Sequence, residues 1–142
     1  LFSVGGDDKK NSSSWILNNW KYDSEDRVWG KFFTLFSDNK AKIKELIISP
    51  GKGMSYQRHF KRSEVWLVSH GQCCVKYSNA DSDDYEIINL KENQIQTIDV
   101  RDWHQIYNPY EDPCHILEIQ YGEATEESDI ERISYYEGNE NT

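Results

Sequence analysis

The chain has 142 residues and a formal net charge of −9, with 25 acidic against 16 basic side chains. No basic stripe offsets that acidity, which argues against nucleic acid or an anionic membrane surface as partner and favours small molecules or proteins. The length suits one compact domain, no apolar run is long enough to span a bilayer, and Leu1 to Asp8 lack the charged start and apolar core of a signal peptide, so the expected location is the cytoplasm.

In chain order, residues 1–27 are rich in Ser, Asn and Asp, with Trp15, Ile16, Leu17, Trp20 and Tyr22 as the only anchors, and are expected to form an arm or cap. From Val28 the pattern changes to short apolar runs separated by Gly, Pro, Asn and Asp, the signature of an all-β domain over residues 28–136. The expected strands are Trp29 to Leu35, Lys42 to Ile48, Ser55 to His59, Glu64 to Val68, Gln72 to Tyr77, Tyr85 to Leu90, Gln94 to Ile98, Trp103 to Tyr107 and Cys114 to Tyr121. Between them, Ser78 to Asp84 reads as a solvated acidic hairpin tip whose spacing does not match an EF-hand loop. Glu123 to Arg132 reads as helical or turn-like, and residues 137–142 as a loose tail.

The three cysteines form no even disulfide framework, and Cys73, Cys74 and Cys114 are expected to be buried reduced thiols. Two blocks locate a site. In the first, Gln57 and His59 lie two residues apart and so share a strand face. Four further residues lead to Glu64 on what reads as an antiparallel return strand. Imidazole with carboxylate and amide oxygen suits one divalent ion of the Zn, Mn, Fe, Co or Ni kind, with no thiolate to favour softer metals. The second block is His104 followed by Asn108. His70 has the right parity for the Glu64 face but no motif asks for it, and His115 reads as structural. Trp66 and Trp103 flank the candidate ligands and are expected to wall the pocket or pack the core.

These pieces carry a resemblance. The fragments Arg27 to Gly30, Ser49 to Gly51, Met54 to His59, Arg62 to Trp66, His104 to Pro109, Ile116 to Gly122 and Glu127 to Arg132 together resemble the cupin domain of the type II mannose-6-phosphate isomerases. In that family the domain often follows a mannose-1-phosphate guanylyltransferase; here only the cupin part is matched. The resemblance implies a cupin-type double-stranded β-helix, a jelly-roll barrel, with Gln57, His59, Glu64 and His104 as metal ligands. Gln57 stands where many other cupins have histidine, which favours the sugar-phosphate isomerase branch over oxygenases.

The implied reaction is aldose–ketose interconversion through an enediol, with Glu118 as candidate carrier of the proton between C1 and C2. Glu118 is equally suited to a structural role, bonded to Arg58 or Arg101. Lys61, Arg62 and Arg101 are the candidate contacts to the phosphate of a sugar phosphate. Cupins commonly dimerise, which implies a homodimer. Two departures stand out. Asp99 and Arg101 occupy the places of a Pro and a Gly in the second block, and Ser134 to Asn139 lacks the arginine of the family's terminal Tyr-Gly-Arg. That absence favours a second reading, a metal-containing cupin that binds or regulates without turnover; a metal-dependent oxygenase ranks third.

Overall fold

The computed structural model describes residues 23–140, so the aromatic anchors Trp15 to Tyr22 of the expected arm lie outside the described residues. Within them run β1 (Ser24–Arg27), β2 (Gly30–Ser37), β3 (Ala41–Ile48), β4 (Tyr56–Arg58), β5 (Arg62–His70), β6 (Gln72–Ser78), β7 (Glu86–Lys91), β8 (Ile95–Ile98), β9 (Trp103–Tyr107), β10 (Cys114–Gly122) and β11 (Glu131–Ser134), with a 3-10 turn at Glu137–Glu140. They form a six-stranded sheet, β1-β2-β3-β10-β5-β8, and a five-stranded sheet, β11-β4-β9-β6-β7. Every pairing is antiparallel. Two packed antiparallel sheets whose consecutive strands switch between them make a jelly-roll barrel.

The inner face of the six-stranded sheet changes character along its length. Cross-strand partners Leu46, Ile116 and Val68 are buried apolar residues. One step along the inner face come Lys44, Glu118 and Trp66, and the next row holds Gln120 opposite Glu64. Alternation in a strand sends every second side chain inward, so the same strands that build the core deliver polar groups to the barrel's other half. The apolar half is closed from the opposite sheet by Cys73, Val75, Leu90 and Ile106. All three cysteines are free and buried, Cys73 and Cys114 in this core and Cys74 on the opposite face of β6 beside Tyr110.

Several sequence expectations need correction. The strand carrying Gln57 and the one carrying Glu64 are not sheet neighbours: β4 pairs with β9 and β11, whereas β5 pairs with β10 and β8. The link from His59 to Arg62 therefore crosses between sheets, and the ligand blocks face each other across the barrel. The boundary expected after residue 27 falls inside a hairpin, since β1 and β2 pair from Ser24↔Phe33 to Arg27↔Gly30. The segment expected to be helical or turn-like is irregular with a turn through residue 130, and only its last two residues enter β11, where Arg132 pairs with Gln57. Residues 137–140 are held rather than loose, with Asn139 Oδ1 accepting from Gly53 N at 3.0 Å and Asn139 Nδ2 donating to Gly53 O at 2.7 Å. Both are backbone needs that local sequence pattern does not reveal.

The β5–β6 hairpin depends on Gly71, whose φ of +82° is the left-handed conformation and whose missing Cβ would lie 2.6 Å from Pro113 O. Ile116, fully buried at the centre of the apolar half, makes the packing testable. Ile116→Ala is expected to lower unfolding free energy by about 2–5 kcal/mol through lost burial and the cavity left behind, read from urea denaturation.

Candidate metal centre and cavity

His59, Glu64 and His104 each bring a ligand atom to one point, all within 4.8 Å of one another and all buried. Glu64 Oε2 lies 3.4 Å from His59 Nε2, and Glu64 Oε1 lies 3.9 Å from His104 Nε2. Both imidazoles are oriented through their other nitrogen. His59 Nδ1 donates to Asp129 O at 2.7 Å and His104 Nδ1 donates to Asp102 O at 2.9 Å. A carbonyl only accepts, so each Nδ1 carries the proton and each Nε2 presents its lone pair inward, the arrangement that metal-bound histidines adopt. His104 Nε2 has no hydrogen-bond partner although it is buried. A buried acceptor without a partner is costly, and a divalent ion between the two rings would supply the partner. The donor set thus fits a borderline or hard divalent ion.

Gln57 completes the group. It is the register partner of His104, and its Nε2 lies 3.3 Å from His59 Nε2 while its Oε1 accepts from Ser55 Oγ at 2.7 Å. A half-turn of the amide directs Oε1 inward and leaves the amide N–H to donate to Ser55 Oγ, so Gln57 can serve as an oxygen ligand.

Glu64 is held by two further donors, Trp66 Nε1 at 3.1 Å and Arg62 Nε at 2.9 Å. Arg62 Nη2 also donates to His59 Nε2 at 3.2 Å, so the guanidinium would compete with a bound ion for that lone pair. The indole N–H of Trp66 is shared with Glu118 Oε2 at 3.2 Å, and Glu118 Oε1 accepts from Gln120 Nε2 at 2.7 Å. Burial and then the neighbouring charge of Glu64 push the Glu118 carboxyl up to about 7, with Lys44 and Arg62 opposing. Burial also drives both histidines down, His59 to about 4 with help from Arg62, and His104 to about 3 with help from His59.

A cavity of about 510 Å³ is lined by Gln57, His59, Arg62 and Glu118 together with Trp29, Lys44, Glu127 and Arg132. That volume accommodates a small ligand. The structure places Arg62 and Glu118 on the cavity and brings Gln57, His59, Glu64 and His104 together beside it. Arg62 lies on β5 as a buried, ion-paired residue rather than in the turn. Lys61 and Arg101 are elsewhere: both are exposed, Lys61 N donates to Asp129 Oδ2 at 2.9 Å, and Arg101 N donates to His59 O at 2.7 Å. Their contribution is through the backbone. Arg101 has φ +74°, the conformation a glycine takes freely, at the place where the family pattern has Gly. Neither expected partner of Glu118 touches it, since Arg58 pairs with Glu131 at 2.8 Å.

Sequence reasoning missed Lys44, Arg132 and Asp129. Lys44 shares the parity of buried Leu46 and Ile48, a signal available in the sequence. His70 and His115 sit together at the opposite end of β5 and β10, with rings 5.5 Å apart, away from the cavity. Among the described residues no helix is long and apolar enough to cross a membrane.

Barrel, ligand set and cavity define a cupin. The family profile described as mannose-6-phosphate isomerase C-terminal matches residues 18–135, and the chain belongs to that family. It is 31% identical over 112 residues to a mannose-1-phosphate guanylyltransferase of Salmonella muenchen, covering 79% of this chain and 22% of that protein. It is 33% identical over 107 residues to the alginate biosynthesis protein AlgA of Pseudomonas aeruginosa, covering 75% and 21%. The chain thus spans about a fifth of the length of these relatives. Among solved structures it is similar to the capsular polysaccharide assembling protein CapF of Staphylococcus aureus, with TM-score 0.69, 16% identity, and 82% of this chain and 33% of that one covered. Oxalate decarboxylase of Bacillus subtilis matches with TM-score 0.70 and 13% identity over 80% of this chain and 30% of that one. At such identities the likeness is one of fold.

His59→Ala, Glu64→Ala and His104→Ala are each expected to abolish most metal uptake, and His70→Ala to leave it unchanged, by elemental analysis of purified protein; equal content in all four contradicts the site. Because both histidines are already neutral above about pH 4, they are expected to add no pH dependence to metal affinity from pH 8 to 6, where the remaining dependence is that of Glu118 titrating near 7 beside Glu64. Ordinary imidazoles would lose roughly tenfold per histidine per unit below their usual value of about 6.5. The same depressed values give the metal-free fold a stability increment that is present above about pH 6.5 and lost as pH falls through about 4. Glu118, raised to about 7, works oppositely and loses its increment as pH rises through that value.

Proposed function

We propose that this domain is a metal-dependent cupin that interconverts a phosphorylated aldose and ketose, with mannose 6-phosphate and fructose 6-phosphate as the pair. The observation that carries the reading is the placement of two carboxylates on one indole N–H: Glu64 beside two histidines, and Glu118 beside it on the cavity lining. One is positioned as a ligand and the other is left for proton transfer. A divalent ion held by Gln57, His59, Glu64 and His104 would supply positive charge to sugar oxygens that become negative in the enediol.

The residues of the chain perform the remaining steps. Glu118 takes the proton from one carbon at a carboxylate oxygen and returns it to the next, and a value near 7 lets both protonation states exist at neutral pH. Gln120 and Trp66 hold that carboxylate by a hydrogen bond to each oxygen, which fixes its direction. Arg62 and Arg132 bring guanidinium groups to the cavity although the family's terminal arginine is absent. That absence is also the observation favouring the second reading, a metal-containing cupin that binds its sugar without turnover. A homodimer belongs to the same proposal, with the open edges β7 and β8 and their exposed Ile87 and Ile95 as available surfaces.

The test is a coupled assay of mannose 6-phosphate conversion on protein stripped of metal and reloaded in turn with Zn, Mn, Co, Ni and Fe(II). Metal-dependent turnover is expected, and Glu118→Gln is expected to keep its metal while losing about 10²–10⁴ in kcat. Undiminished kcat in that variant moves the proton carrier elsewhere. Stoichiometric metal without turnover for any ion selects the binding cupin, and oxygen uptake with Fe(II) selects an oxygenase.

A further inference from the structure

Three cations converge on one carboxylate at the cavity wall. Lys44 Nζ lies 2.9 Å from Glu127 Oε1, Lys42 Nζ 3.4 Å from Glu127 Oε2, and Arg62 Nη1 3.8 Å from the same Oε2. The cations are the buried partners: the side chains of Lys44 and Arg62 are 8% and 6% exposed, whereas that of Glu127 is 58% exposed. Buried ammonium and guanidinium groups are costly unless an anion faces them, and here the anion comes from the solvent side, on the more exposed partner of the three pairs. Lys44 Nζ is further aimed by the Phe32 ring, 4.2 Å below it.

The charge count leaves a deficit. Lys42, Lys44 and Arg62 contribute three positive charges, and Arg62 shares one with Glu64 through its Nε. Glu127 supplies one full negative charge to the two that remain, and Glu118, the cross-strand partner of Lys44, is only partly ionised beside them at neutral pH. A phosphate monoester carries about −1.5 to −2 at neutral pH with three acceptor oxygens, and it matches that remainder in charge and in number of donors. Glu127 itself reaches the cations from the strap of residues 123–130, whose carbonyls at Thr125 and Glu126 accept from Lys42 Nζ at 3.1 Å and Arg62 Nη1 at 3.4 Å. These backbone contacts hold Lys42 and Arg62 by groups other than the Glu127 carboxylate.

We infer that Lys42, Lys44 and Arg62 form the seat for a phosphate dianion, and that the Glu127 carboxylate fills this seat as an internal stand-in until a phosphorylated ligand displaces it. The inference rests on the sugar-phosphate reading of the cavity and locates the phosphate within it. Lys44 and Glu118 are direct cross-strand partners, about 5 Å apart along the backbone. A phosphate seated at Lys44 therefore leaves the sugar over Glu118 and the edge of His59.

The experiment is calorimetric titration of the full chain, metal-free and in chelator, with inorganic phosphate, mannose 6-phosphate and mannose. Both phosphates are expected to bind and mannose not to. Glu127→Gln is expected to tighten phosphate roughly five- to tenfold, because the fraction of protein with an open seat rises. Lys42→Met, the less buried cation, is expected to weaken it by a similar factor, with a near-wild-type melting temperature reporting an intact fold. Unchanged or weaker phosphate binding in Glu127→Gln, or wild-type affinity in both Lys42→Met and Lys44→Met, overturns the seat. Since neither metal nor turnover enters this measurement, a chain that fails to isomerise can still show the seat, and an active isomerase can lack it.

Discussion

Glu64 puts a carboxylate inside the barrel, 2% exposed, and much of the site's organisation follows from how that charge is satisfied. An isolated buried carboxylate is not tolerated at neutral pH; it must be paired and hydrogen-bonded, or it protonates. Arg62 and Trp66 provide two donors and the two imidazoles close the remaining side. Each of these groups is thereby fixed in turn. Trp66, committed to Glu64, also reaches Glu118, and Arg62, committed to Glu64, also reaches His59 and the strap. A divalent ion among His59, Glu64 and His104 would neutralise the same charge and satisfy the lone pair on His104 that has no partner.

The barrel supplies this arrangement by dividing its interior. The half filled with Leu46, Ile48, Val68, Ile106 and Ile116 carries the packing energy. The other half is polar and is stabilised by specific pairing. The strap joining β10 to β11 connects the two demands: Asp129 accepts from the backbone N–H groups of Phe60 and Lys61 through its side chain and from His59 through its carbonyl. A loop residue with no ligand role thereby sets the imidazole tautomer, which is the outer-shell function that metal sites require.

Much of this was legible because side chains alternate between the two faces of a strand. Gln57 and His59 share parity, and Glu64 and Trp66 do, so their co-location could be argued before any coordinates. What failed was whatever depended on which strands become neighbours. The return strand carrying Glu64 lies in the opposite sheet from Gln57, a consequence of jelly-roll topology that local pattern cannot specify. Arg62 was placed in a turn although it begins β5 with the inward parity of Glu64. Lys44 is hidden in the sequence by apolar neighbours of mixed parity, since Ile43 faces the other way from Leu46 while Lys44 shares the buried face. The tail appeared loose because its anchor is a side chain, Asn139, satisfying the backbone of Gly53, which lies far away in sequence.

Whether one divalent ion sits between His59, Glu64 and His104 is tested most directly by anomalous diffraction at the metal edge from crystals of metal-loaded protein. The predicted result is a single strong peak at bonding distance, about 2.0–2.2 Å, from both Nε2 atoms and a Glu64 oxygen, with Gln57 Oε1 turned toward it and Arg62 Nη2 withdrawn from His59. A fully loaded crystal whose peak lies elsewhere, for example between His70 and His115, would contradict it.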